Sequence, residues 1–230
     1  MIHGAGMHAG VWGSLVAGLA PMPCQAISLP GHTKNGGQAL PSIEKMAAWV
    51  GEKLANYPAQ SVVLMGHSMG SLVALEAAHF PAVTALVLLG AAAKMPVHPD
   101  LIHQATHDPG TASDMILKWG VSPAHTQAAT VKAVLKEQMK TVASGVLFND
   151  LTACNNYRHG EEAAKAIRQP VLVLSGQDDK MTKAADGKLL ADMIPQAQFH
   201  ALPACGHMMM VEKPAETAKE ISGFIAALGG

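Results

Sequence analysis

Apolar and polar positions along the chain follow two rhythms. Short aliphatic or β-branched runs at residues 25–29, 61–65, 84–89, 171–174 and 198–202 have the length and make-up of buried strands. Between them lie stretches whose apolar residues recur three and four apart. In residues 42–57, Ser42 can cap a first turn while Met46, Trp49, Val50 and Leu54 share one face. Residues 72–79 and 214–228 repeat that pattern. Strands alternating with helices predict an α/β fold, a mostly parallel sheet with helices on both faces. The rhythm breaks between 97 and 160, where helical periodicity continues without a convincing strand and Pro99, Pro109 and Pro123 stand at expected helix starts. We read 1–96 and 161–230 as one α/β core and 97–160 as a small helical insert between two sheet strands.

Composition narrows the class. A chain of 230 residues is a normal length for one α/β domain with a decorated loop, and 49% hydrophobic residues are ample for a core. No apolar run approaches the roughly 18 residues of a membrane-spanning helix. The first residues have neither a basic nor an apolar leader region, so no secretory signal is visible. A net charge of −1 gives no long-range drive toward nucleic acid or an anionic membrane. Cys24, Cys154 and Cys205 form an odd set with no C-x-x-C pair, which argues against a disulfide framework or a zinc ribbon. That usage fits a reducing compartment, and a cytoplasmic globular protein is expected.

The strongest chemical signal is Gly66-His67-Ser68-Met69-Gly70, a G-x-S-x-G set between a β-branched strand and a helix. In that setting the glycines permit a sharp turn and the serine hydroxyl projects above the sheet. The N-terminal end of the following helix would sit beneath a developing oxyanion. A serine nucleophile needs a base and a group to orient it. Asp178 and Asp179 lie just past the 171–174 strand, at the sheet edge where catalytic groups collect, and His207 follows the next strand. The order Ser, Asp, His is that of α/β-hydrolases. His3-Gly4-Ala5-Gly6 is a turn able to aim a backbone N–H at an oxyanion, with the N–H of Met69 as a second donor. Twelve histidines raise the question of a metal. His103 and His107 are four apart with His98 nearby, but no H-E-x-x-H pattern joins them, and no metal is expected. Met208-Met209-Met210 reads as packing at the start of the last helix, with Met208 a candidate pocket residue.

Together these residues resemble the α/β-hydrolase superfamily, and within it the small lidded carboxylesterases, over nearly the whole chain. His3-Gly4-Ala5-Gly6 resembles the oxyanion loop, Leu29-Pro30-Gly31-His32 the LPGHG turn, and Gly66 to Gly70 the nucleophile elbow. Gly176-Gln177-Asp178-Asp179 resembles the G-x-x-D acid loop, which implies Asp179 rather than Asp178. Gly206-His207 with Val211-Glu212-Lys213-Pro214 resembles the histidine loop, and 97–160 falls where that family carries its helical lid. Ser28 and Thr33 stand where the family turn often has Asp and Gly. Members also carry strands ahead of the His-Gly motif, one of them central, whereas this sequence starts two residues before His3. The resemblance therefore implies missing N-terminal strands, roughly 10 to 30 residues, and orphaned backbone groups beside the 61–65 strand.

The implied activity is a serine hydrolase for esters of small or medium apolar acyl groups. Ser68 attacks, His207 is the base, Asp179 orients it, and Ala5 and Met69 N–H groups hold the oxyanion. No cofactor is implied; Met7, Met181 and Met208 are candidates for the pocket wall. Ser68 argues against an epoxide hydrolase or dehalogenase, which would need Asp there, and Met208 stands where hydroxynitrile lyases of this fold have Lys. Lactone hydrolysis, carbon–carbon bond hydrolysis and acyl transfer stay open on the same triad. A non-catalytic small-ligand binding protein on the same scaffold is the rival from another class.

Overall fold

A computed structural model describes residues 1–33 and 36–229. After a 3₁₀ turn at Ala9–Trp12 the elements are α1 (Gly13–Gly18), α2 (Ile43–Leu54), β1 (Val62–His67), α3 (Met69–Ala77) and β2 (Val83–Leu89). Then come α4 (Pro99–His107), α5 (Pro109–Gly120), α6 (Ala128–Lys140), α7 (Val146–Asn156) and α8 (Gly160–Ala166). The chain closes with β3 (Val171–Gly176), α9 (Ala184–Met193), β4 (Ala197–Leu202), α10 (Met209–Glu212) and α11 (Pro214–Leu228). The four strands form a parallel sheet in the order β1-β2-β3-β4. This is the expected α/β architecture, a parallel sheet with helices on both faces.

The alternation of side chains across the sheet explains why β2 from Ala85 to Leu89 and β3 from Val171 to Leu174 are unbroken apolar runs. Leu86, Leu88, Val171 and Val173 face a core built with α2, α3, α8 and α9. Val87, Leu89, Leu172 and Leu174 face the opposite core, built with α1, α11 and the helices α4 to α7. Strands covered on both faces have no polar side to show. At the edge, β4 alternates between half-buried and exposed residues.

Local chemistry sets the helix starts. Ser42 accepts the Lys45 N–H to cap α2, and Asp108 accepts the Thr111 N–H to cap α5, with Pro109 at its first position. Pro99 likewise opens α4. Pro123 does not open a helix. The Ser122 hydroxyl accepts Ala124 N–H at 3.1 Å and the Ser122 carbonyl accepts His125 N–H at 3.2 Å, so a turn captures this proline and α6 starts only at Ala128.

The expected strand at 25–29 is reduced to one bridge, Ile27 with Ile2, because Leu29 N–H goes to the His3 side chain instead of a ladder. Ile2 itself lies between Ile27 and Gly66: its N–H donates to Met65 O at 2.8 Å and its carbonyl accepts His67 N–H at 3.0 Å. Orphaned backbone groups were expected beside the 61–65 strand; the Met65 carbonyl, at its end, is paired. Among the described residues, no helix is long and apolar enough to cross a membrane.

Candidate active site

The turn between β1 and α3 puts Ser68 in a strained conformation, φ 52° and ψ −121°. Such geometry costs on the order of 1–3 kcal/mol and survives only where its surroundings enforce it. Ser68 N–H donates to Leu89 O at 2.9 Å, and the Ser68 carbonyl accepts both the N–H and the hydroxyl of Ser71. The flanking glycines are required by space. A Cβ at position 66 would lie 2.1 Å from Gly70 O, and one at position 70 would lie 2.3 Å from Ile2 O.

Asp179 and His207 meet beyond the ends of β3 and β4. Nδ1 of His207 lies 2.7 Å from Oδ2 of Asp179, and both side chains are buried. The other oxygen of Asp179 accepts the N–H groups of Met181 at 2.8 Å and Thr182 at 2.9 Å, so the carboxylate cannot turn away. A carboxylate acceptor makes Nδ1 the donor, which leaves Nε2 with its lone pair. Nε2 is buried without a hydrogen-bond partner among the described residues, and His207 and Ser68 line one cavity. Asp178 points elsewhere and accepts the Ser122 hydroxyl at 2.5 Å.

Two residues with a part in this site were not singled out by the sequence. The His67 ring packs at a tilt against that of His207 with centroids 4.7 Å apart, and its Nε2 lies 2.9 Å from the His207 carbonyl. Burial, helped by the neighbouring His207, pushes the His67 pKa well down, so the ring is neutral and Nε2–H donates. Glu212 reaches back from α10 to hold the loop around His207. It accepts Ser122 N–H at 2.8 Å, Gly206 N–H at 3.0 Å and Met208 N–H at 3.0 Å. Its place in the Val211-Glu212-Lys213-Pro214 motif was the only available signal. Glu212→Ala would leave three buried donors unpaired, at about 1–3 kcal/mol each, and should destabilise the fold by roughly 3 kcal/mol or more. Urea denaturation measures this; a change below about 1 kcal/mol would show that the carboxylate is dispensable.

The cavity has a volume of about 170 Å³. Gly4 and Ala5 border it on the elbow side, and a Cβ on Gly4 would come within 3.1 Å of the Ser68 Cβ. Met7, Met181 and Met208 all line it, together with Leu101, Ile116, Trp119 and Leu151 from the helices between β2 and β3. Met69 supplies its backbone to the start of α3, while its side chain is buried in the α2–α3 core. His103 and His107 stack on one another at 4.2 Å, and no cluster of His, Cys, Asp and Glu suited to a metal occurs among the described residues.

The chain is similar to several known hydrolases. A pimeloyl-(acyl-carrier protein) methyl ester esterase of Aromatoleum aromaticum is 28% identical, over 95% of this chain and 94% of that protein. A 2-hydroxy-6-oxo-6-(2'-aminophenyl)hexa-2,4-dienoic acid hydrolase of Metapseudomonas resinovorans is 27% identical over 72% of this chain and 60% of that protein. The solved structure of a thermophilic esterase superposes with a TM-score of 0.84 at 25% identity, covering 99% of this chain and 89% of that one. The model of the alpha/beta hydrolase family matches residues 1–220, and the chain belongs to that family.

Proposed function

We propose that this protein hydrolyses carboxylic esters of small or medium apolar acyl groups, with Ser68 as nucleophile, His207 as base and Asp179 as the group that orients it. The observation that carries the reading is the buried Asp179–His207 contact of 2.7 Å beside the cavity that also holds the strained Ser68. Nε2 of His207 takes the hydroxyl proton as the Ser68 oxygen bonds to the ester carbonyl carbon. The carbonyl electron pair moves to oxygen, where the N–H groups of Ala5 and Met69 stabilise it. Collapse expels the alcohol, which leaves with the proton from the imidazolium. Water then attacks the acyl-enzyme with His207 again as base, and the acid departs. These steps use side chains, backbone and water alone.

The similarity to named esterases supports an ester substrate, and the small apolar cavity supports a short acyl chain. Residues 97–160 act, in this reading, as a lid over a core formed by 1–96 and 161–230. The three cysteines are free, in keeping with a reducing cytoplasm. The similarity to the Metapseudomonas hydrolase favours carbon–carbon bond hydrolysis as the second reading. A panel of p-nitrophenyl esters of increasing chain length, run beside lactones and vinylogous diketones, separates the two. The highest kcat/KM is expected on an ester of short or medium chain; a higher value on the diketones would overturn the ester assignment.

A further inference from the structure

We propose that Asp150, on α7 of the helical insert, is a positioning residue that clamps the oxyanion loop, so that the insert and the oxyanion site are set together. The inference rests on the nucleophile and oxyanion reading above. Oδ2 of Asp150 accepts the N–H of Gly6 at 2.9 Å and faces Nε2 of His32 at 2.8 Å. Both side chains are fully buried. Gly6 follows Ala5 directly, so this oxygen holds the far end of the turn whose near end, Gly4, lies against Ser68. The same helix places Leu147 on Gly6 and sends Leu151 and Cys154 to the cavity wall.

Protonation follows from the partners. Nδ1 of His32 faces two carbonyls, Leu29 O at 3.2 Å and Pro30 O at 3.0 Å, while Nε2 faces the carboxylate. Acceptors on both sides require both nitrogens to donate, so His32 is an imidazolium paired with the Asp150 carboxylate. Burial opposes that charge, but the Asp150 contact and the two carbonyls outweigh it and raise the His32 pKa. His3, whose ring lies 4.5 Å from that of His32, does not compete for the carboxylate. It accepts Leu29 N–H through Nε2 and donates through Nδ1 to Gly4 O, and burial with its His32 neighbour brings its pKa down to about 3. One carboxylate oxygen therefore joins the LPGH turn, the oxyanion loop and the insert through charge-assisted bonds, which are roughly twice as strong as neutral ones.

Asp150→Ala removes the acceptor, and Asp150→Asn keeps an oxygen but not the charge. Removing one oxyanion donor outright costs roughly 10²–10³ in kcat, which sets the scale for displacing one. On p-nitrophenyl butyrate, Asp150→Ala should lose about 100-fold in kcat and Asp150→Asn about 10-fold, each with KM within about threefold. A trifluoromethyl alkyl ketone adds the Ser68 oxygen to its carbonyl carbon, passes the hydroxyl proton to His207 and leaves an oxyanion. Its affinity should fall in step with kcat. If Asp150→Ala does not fold, the Asn variant decides by the same two readouts. A folded variant with wild-type kcat and wild-type ketone affinity would overturn the clamp. So would a rise in KM at unchanged kcat, since that would place Asp150 in ground-state binding. The nucleophile reading is tested separately in the same assay: it fails if the ketone does not inhibit the wild type, or inhibits Ser68→Ala equally well.

Discussion

Ser68→Ala is expected to lower kcat on p-nitrophenyl esters by roughly 10⁴-fold or more, with the melting temperature little changed. The size of the loss follows from chemistry that no neighbour can replace. Without the hydroxyl there is no acyl-enzyme, and the remaining groups can only bind substrate and steady an oxyanion. The fold should hold because the serine contributes no core packing: its backbone N–H and carbonyl make the bonds to Leu89 and Ser71, and an alanine makes the same ones. Alanine also carries the same Cβ, so the positive φ is no more costly than before. Wild-type turnover by Ser68→Ala would refute the nucleophile assignment outright.

Asp179→Asn should be nearly as damaging, also by roughly 10⁴-fold in kcat, through the tautomer of His207. Oδ1 of Asp179 accepts two backbone N–H groups, from Met181 and Thr182. An asparagine will keep its oxygen there, which puts its NH₂ group where Oδ2 was, facing Nδ1 of His207. Nδ1 must then accept, the proton moves to Nε2, and the ring can no longer take one from Ser68. Asp178→Asn changes a carboxylate directed at the Ser122 hydroxyl and should stay within a few-fold of wild type. Steady-state kinetics on the two variants decides the matter, and equal losses would mean that the acid has been misassigned.

Much of this site can be read from the chain because each group follows a strand end and is marked by glycine. Gly66 and Gly70 frame Ser68, Gly176 precedes Asp179 by three, and Gly206 adjoins His207. The sheet was legible for the same kind of reason: β2 and β3 are buried on both faces and show it as apolar runs from Ala85 to Leu89 and from Val171 to Leu174. What escaped depends on partners far away in sequence. Asp150 looks like any polar residue of an amphipathic helix until His32 and Gly6 are brought to it, 118 and 144 residues away. Glu212 gains its meaning from Ser122, which lies 90 residues earlier. Helices α1 and α9 were missed because α1 is only six residues framed by Gly13 and Gly18, Gly187 interrupts α9, and neither carries a long apolar stripe. The strand at 25–29 was overstated because a side chain, His3, competes with the backbone for Leu29.

Helix α3, which begins at the nucleophile, is buried along nearly its whole length, whereas α6 in the insert buries only Val131, Leu135 and Met139. Stability is therefore unevenly distributed. Amide protons of α3 and β2 should exchange with solvent only when the whole molecule opens, while those of α6 should exchange through local openings of much lower free energy. Ser68, the proposed nucleophile, is thus anchored in the last part of the protein to give way. The helices beside it can open locally and absorb changes in sequence without loosening the turn that carries Ser68.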